Sequence, residues 1–440
     1  MDGRMTDQGR PPIRAGAPAA PGTARRVREG VGLPLALLLV WLWFEFGRPP
    51  NPMGIPMLLS IAMLGGWVLR KDKRWSRQHS LFVVVLALLA LSVPMADNTY
   101  SAYMTTFGMS VVLLTVCVPM PSVLTSTRKI RAWAYTFVTV SLFVGGWALF
   151  HGGLGPSGSA GGQDENYVSA MMCMAIPFAY FSIFGETRRR VKLLLILSVV
   201  VFTGAVIVSF SRGGFVGLCA VGLYCLARSP KKLLGGTVVA VVVVAALLFA
   251  GADYWDEMGT ITDTSESTAD MRLEIWKIGL RMWMANPVFG VGGGNFRWQV
   301  GEFQSAEQLD KYGRSLQGSI IAHSLPVELL AEMGTAGVIV VGALLVGTWR
   351  NLRRIRRAIP RPRRVTDVDG QWSLSCHADA VIGSIIGCLA TGVFLSLLYF
   401  SYLWLLIALG SAITQVFDSQ AGEPPAPSGD GPVRIIPAVR

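Results

Sequence analysis

"VSFSRGGFVGL" (residues 208–218) is an apolar run that breaks for four residues, Ser211-Arg212-Gly213-Gly214, and resumes at Phe215. Two hydrophobic segments meeting across so short a gap read as two membrane helices joined by a tight polar turn. The rest of the chain agrees. It has 440 residues, of which 52% are hydrophobic and 15% charged, with a mean hydropathy of +0.48, whereas soluble proteins carry about 25% charged residues.

Apolar segments recur at 31–46, 52–69, 80–96, 103–121, 132–150, 166–184, 191–210, 213–227, 233–251, 335–349, 379–398 and 401–415. They predict an all-α polytopic membrane protein with about twelve transmembrane helices and one large loop on the outer side, which the resemblance given below makes periplasmic. Alternate connections separate by charge. "RKDKRWSR" (70–77), "RKIR" (128–131), "RRRVK" (188–192), "RSPKK" (228–232) and "RNLRRIRRAIPRPRR" (350–364) fall on one side with the Arg-rich N-terminus. Lysine and arginine collect on the cytoplasmic side, which places both termini there. The net charge of +12 is therefore a topology signal, and nucleic acid is not an expected partner. The expected order is a disordered cytoplasmic N-terminus (1–30), nine helices (31–251), a periplasmic loop with amphipathic helices (252–334), three helices (335–415) and a disordered cytoplasmic tail (416–440). The first apolar run lacks a convincing cleavage site and reads as a retained span. No Cys/His spacing supports a disulfide framework or a zinc site, and neither a metal nor a cofactor is expected.

This topology puts Arg212 at the outer face, against the charge bias, where it must find a partner or water. Gly213 and Gly214 would let backbone N–H groups at a helix start approach an anion; the alternative is an arginine that merely snorkels between two helices. The outer segment 252–318 holds ten acidic and six basic residues and is far longer than a connector needs. Within it, 269–285 has helical periodicity, with Met271, Ile275 and Met282 beside Leu273, Trp276 and Leu280 forming an apolar face suited to the membrane interface. Arg272, Lys277 and Arg281 point elsewhere. "NPVFGVGGGNF" (286–296) follows, a turn that lacks the Lys-Ser/Thr of a nucleotide loop. His323, Glu328 and Glu332 then open a helix, with Pro326 suited to its first turn.

In order and spacing these residues resemble the O-antigen ligase/polymerase family of bacterial membrane glycosyltransferases. The resemblance rests on Ser211-Arg212-Gly213-Gly214, Arg272-x-x-x-Trp276, Pro287-x-x-Gly290-x-Gly292, Gly294-x-Phe296, His323-Ser324 and Glu332-x-Gly334-x-x-Gly337, with Asp164-x-Asn166 ahead of them. It covers roughly residues 160–350. It implies a lipid-sugar glycosyltransferase fold (GT-C-like) in the bacterial inner membrane with a periplasmic active site. The implied donor is an undecaprenyl diphosphate-linked glycan. The implied acceptor is a lipid A core, a glycan or a protein, in lipopolysaccharide or exopolysaccharide biosynthesis. It further implies His323, Arg212 and Arg272 as catalytic residues, and Arg212, Arg272, Gly213, Gly214, Arg281, Asn166 and Glu332 as substrate-binding residues. Many relatives have His-Asn where this chain has His323-Ser324, so no role passes to Ser324.

Arginine's planar, permanently charged fork suits a diphosphate, and histidine can take a proton from an acceptor hydroxyl. Ligase and polymerase share donor and clamp, and no motif reads the acceptor. A transporter would bury ionisable residues at mid-membrane and often repeat its halves; the predicted span interiors carry almost no charge and show no repeat. A non-catalytic assembly scaffold is the remaining class, which transfer by the purified chain would separate from an enzyme. The topology has a direct check. Ser305→Cys should react with an impermeant thiol reagent added from the periplasm, and reaction only from the cytoplasm would invert the assignment.

Overall fold

A computed structural model describes residues 32–47, 54–157, 164–230, 232–233, 236–237, 267–312, 315–318 and 320–422. The described residues are helical, with no strand among them. The longer helices are α1 (Leu33–Leu42), α2 (Ile55–Val68), α3 (Arg77–Ser92), α4 (Thr99–Val112), α5 (Thr127–Phe150), α6 (Glu165–Gly185), α7 (Arg189–Val208), α8 (Arg212–Arg228), α9 (Ser267–Ala285), α10 (Leu325–Ala358), α11 (Gln371–Gly392) and α12 (Ser401–Gly422). Among the described residues eight helical stretches are long and apolar enough to cross a membrane, and the stretches Leu33–Gly47 and Ile55–Val68 are shorter apolar helices. The chain is a polytopic membrane protein. Most of the expected span 233–251, the segment 1–30 and residues 423–440 lie outside the described residues, and the tail expected to be disordered from 416 is helical as far as Gly422.

The bundle is organised around α6. Asp164 caps it by accepting from the Asn166 N–H at 2.8 Å, and every residue from Val168 to Gly185 is buried. Its only imino acid, Pro177, has no N–H for the Cys173 carbonyl one turn earlier. Helix α11 covers this place with small residues. A Cβ on Gly387 would come 3.0 Å from the Cys173 carbonyl oxygen, and Ser384 Oγ donates to the Met174 carbonyl at 2.6 Å. Small residues let membrane helices approach closely enough for dispersion and hydrogen bonds to hold them. Helix α8 joins the same junction through Gly217, where a Cβ would meet Thr391 of α11 and Cys173 of α6.

The expected span 379–398 ends at Gly392, and residues 393–400 leave the helix before α12 begins at Ser401. The uninterrupted apolar sequence conceals this break because side chains from other helices satisfy the freed backbone. The Leu398 N–H donates to Glu328 at 3.2 Å, Tyr167 donates to the Ser396 carbonyl at 3.3 Å, and Trp404 donates to the Leu398 carbonyl at 2.8 Å. Helix α10 is also interrupted. Gly334 has φ 59° and ψ −163°, a conformation only glycine takes readily.

Into that interruption fits the glycine turn after α9. Val291 and Gly292 donate to the carbonyls of Ala331 and Glu332, and Thr335 and Ala336 donate back to those of Pro287 and Val288. The Glu332 carboxyl group fastens the turn from within. It accepts from the Gly294 N–H at 2.7 Å, the Phe296 N–H at 2.8 Å and the Tyr399 hydroxyl at 2.5 Å. Buried Asn295 completes the hold, accepting from the Asn98 N–H at 2.8 Å and donating to the Asn98 carbonyl at 3.3 Å. The outer segment has its own apolar core of Ile275, Ile278, Met282, Val291, Phe296 and Val300. The buried face of α9 is thus the Ile275–Ile278–Met282 stripe, turned onto this segment, while Leu273 and Leu280 of the expected interfacial face stay exposed.

A glutamine at 332 would set an amide N–H against one of these three donors, and an unsatisfied buried donor costs about 1–3 kcal/mol. Glu332→Gln should lower the thermal stability of the purified protein in detergent, and Glu332→Ala should lower it further. Wild-type stability in both variants would show that the carboxyl group does not hold the turn.

Candidate functional site

The polar turn between α7 and α8 is built outward from Ser211. Its hydroxyl accepts from the Gly214 N–H at 3.0 Å, capping α8, and donates to Asn166 Oδ1 at 2.7 Å. Asn166 in turn donates through Nδ2 to Asp164 at 3.0 Å. One hydrogen-bonded row, Ser211–Asn166–Asp164, therefore ties the start of α8 to the start of α6 and leaves Arg212 half-buried beside it. Gly213 and Gly214 serve proximity here. A Cβ on Gly214 would lie 2.6 Å from Ser169 Oγ, and one on Gly213 would lie 3.2 Å from Phe394 Cβ.

Phe394, in the break between α11 and α12, connects this turn to the outer segment. Its ring meets that of Trp276 on α9 with centroids 6.3 Å apart, and Arg272 lies one helical turn before Trp276. The same break touches the start of α10, since a Cβ on Gly392 would come 3.2 Å from Leu325 Cβ. His323 stands two residues ahead of Leu325. The charges of both Arg272 and Asp164 reach its imidazole. Burial, then the Arg272 guanidinium, pulls the His323 pKa below the usual 6.5, while Asp164 acts in the opposite direction. The ring is thus neutral near pH 7 and able to accept a proton.

Among the described residues, two that are not glycine have a left-handed backbone, Phe210 at φ 48° and His323 at φ 46°. Each stands immediately before the cap of a helix that opens onto this place, Ser211 for α8 and Ser324 for α10. Such conformations cost of order 1–3 kcal/mol and persist where the surroundings over-determine them.

Of the residues singled out in the sequence, Arg212, Gly213, Gly214, Asn166, Arg272 and His323 belong to this connected group. Arg281 and Glu332 are engaged elsewhere. Arg281 donates through Nε to the Phe303 carbonyl at 2.7 Å and through Nη2 to Gln308, inside the outer segment, and Glu332 holds the glycine turn. Asp164, read in the sequence as part of the Asp164-x-Asn166 motif but given no role at the site, enters the group through His323 and Asn166. Phe394 and Tyr399 were hidden in an apolar run, with no local signal to mark them.

The family described as O-antigen ligase matches residues 196–342, about a third of the chain, in a stretch that includes Arg212, Arg272 and His323. No curated protein matches the chain. Over that stretch the chain is similar to the O-antigen ligase family, and its membrane-spanning helices make it a polytopic membrane protein.

Proposed function

We propose that the chain is a glycosyltransferase that moves a glycan from undecaprenyl diphosphate to an acceptor hydroxyl on the periplasmic face of the bacterial inner membrane, as an O-antigen ligase does. The observation that carries this reading is the setting of His323, a strained, half-buried and neutral imidazole that senses an arginine on one side and a carboxylate on the other. Arg212 and Arg272 hold the diphosphate oxygens of the donor. The acceptor oxygen attacks the anomeric carbon, the bond from that carbon to the diphosphate oxygen breaks, and the hydroxyl proton passes to the imidazole Nε2 or Nδ1. The two arginines stabilise the negative charge left on the lipid diphosphate, and stabilising charge as it develops is usually the largest catalytic contribution. Gly213 and Gly214 let the start of α8 pack against Phe394 and Ser169, and the row from Ser211 to Asp164 fixes that start. Arg281 and Glu332 act at one remove, shaping the outer segment that carries Arg272. The same clamp would serve a polymerase, which differs in taking a second lipid-linked repeat as acceptor; a deletion strain separates the two. Capped core without polymer on it marks a ligase, and single repeats on the core mark a polymerase.

Two measurements test the clamp and the base. Arg212→Lys keeps the charge but loses the planar fork, so transfer by the purified protein should fall by about a hundred- to a thousandfold at unchanged protein level. Full activity in that variant would make Arg212 an anchor, since lysine snorkels equally well. The pH dependence tests His323. A base must be neutral to act, so the acidic limb of transfer should lie below pH 6.5, the ordinary histidine value. Removing the positive charge in Arg272→Gln should move the limb of the residual activity to higher pH, and removing the negative charge in Asp164→Asn should move it lower. Limbs unmoved in both variants would exclude His323 as the base.

A further inference from the structure

The far end of α10 carries a second feature that the transfer reaction does not use. From Leu345 onward one stripe of this helix reads Leu345, Val346, Trp349, then Arg350, Arg353, Arg354 and Arg357, a spacing that keeps all seven on one face. The stripe changes from apolar to cationic at Trp349. Opposite its apolar half stand Ile385, Ile386 and Leu389 of α11, and the two helices enclose a groove of about 830 Å³ lined by these residues. The register between the helices is fixed by Arg356, which turns inward and donates to Asp379 at 3.0 Å, an interaction that Tyr224 supports with a further hydrogen bond to Asp379 at 3.0 Å. Ten residues of α11 above Asp379 and ten of α10 above Arg356, about 15 Å along each helix, Leu389 faces Val346. The groove therefore descends from an apolar mouth between the helices to a row of guanidinium groups.

Those groups are differently occupied. Arg354 pairs with Asp418 at 2.5 Å and lies over the Phe417 ring. Arg350, Arg353 and Arg357 are exposed and have no acidic partner among the described residues. Trp349 is 38% exposed at the boundary, at the level where tryptophan marks the transition from hydrocarbon to headgroups. An apolar channel within a membrane, ending in unpaired arginines beside a tryptophan, has the shape and charge of one kind of molecule.

We propose that this groove binds an anionic glycerophospholipid of the leaflet on the arginine-rich side, with an acyl chain against Leu345, Val346, Ile385, Ile386 and Leu389 and the phosphate on Arg350, Arg353 and Arg357. Arginine holds phosphate oxygens through paired N–H groups, and basic pockets between membrane helices select anionic headgroups. The site lies at the opposite end of α10 from His323, separated by most of a 34-residue helix, and does not depend on the transfer chemistry.

The test is lipid retention by the full-length protein, purified in mild detergent and titrated with phosphatidylglycerol or with phosphatidylcholine of the same acyl chains, read by native mass spectrometry. Phosphatidylglycerol should bind the wild-type protein more tightly. The triple variant Arg350→Gln/Arg353→Gln/Arg357→Gln should lose that preference, with phosphatidylglycerol affinity down by more than about tenfold. Leu389→Trp, which fills the groove while keeping every arginine, should also weaken binding and guards against misfolding of the triple variant. Arg363→Gln/Arg364→Gln removes two charges outside the groove and should leave the preference intact. Equal retention of the two lipids by the wild type, an undiminished preference in the triple variant, or a loss as large in the Arg363/Arg364 variant would each overturn the proposal.

Discussion

The rest of the outer architecture depends on the burial of a glycine turn whose backbone has no secondary structure of its own. Peptide groups cannot be left bare against membrane helices, so the donors of residues 290–296 must be met from outside the turn. The Glu332 carboxyl group meets those of Gly294 and Phe296, Ser92 Oγ meets that of Gly293, and the interruption of α10 at Gly334 exposes the Ala331 and Glu332 carbonyls that take those of Val291 and Gly292. Once the turn is fastened, α9 can only cross α10 closely. A Cβ at Gly279 would strike Val327, and the crossing carries Arg272 toward the start of α10. The same carboxyl group takes the Tyr399 hydroxyl, which pins the non-helical segment after α11. One buried side chain thereby sets the relation between the three pieces around His323: the outer helix, the start of α10 and the break that carries Phe394.

That arrangement explains why an imidazole can stay neutral beside charged groups. A histidine in water would titrate near pH 6.5. Here partial burial and Arg272 both disfavour its charged form, and Asp164 moderates them. Asp164 also caps α6 and accepts from Asn166, so the carboxylate that tempers the histidine is held by the row that reaches Ser211. Position and protonation are coupled through the same hydrogen bonds. A change anywhere along the row alters both the exit of Arg212 and the field at His323.

The helices themselves were legible because their cause is local. Hydrophobic length and charge alternation suffice to locate a membrane span, and each expected span that falls within the described residues overlaps a helix, although the one at 379–398 outruns its own. The turn at Ser211 was equally plain, since a capping serine and two glycines between apolar runs have few other uses. What the sequence concealed was satisfied at a distance. The end of α11 at Gly392 is followed by an apolar stretch whose only polar groups are Ser396 and the Tyr399 hydroxyl, because Glu328, Tyr167 and Trp404 supply its hydrogen bonds from elsewhere. Which part of the broad apolar face of α9 is buried was hidden for a related reason. The core offered by Val291, Phe296 and Val300 takes Ile275, Ile278 and Met282 and leaves Leu273 and Leu280 exposed. Arg281 looked like a ligand-binding cation until Phe303 and Gln308 came within reach, and those are more than twenty residues away.

Helix α10 shows how one element can serve two unlike environments without conflict. Its first turns hold acidic side chains, Glu328 and Glu332, that face inward and stitch irregular backbone to the bundle, and its last turns hold arginines that face outward. The order also complements the helix dipole, with acidic groups at the N-terminal end and basic groups at the C-terminal end. Inward carboxyl groups at the start preserve shape where the chain departs from helical structure, while outward guanidinium groups at the end meet headgroups where the helix leaves the hydrocarbon. Arg356 is the exception that supports the rule. It alone of the terminal arginines turns into the bundle, and there it finds a buried aspartate, as a charge removed from water must. The remaining arginines can then be displayed at a depth and spacing that α11, held in register by that single ion pair, makes reproducible.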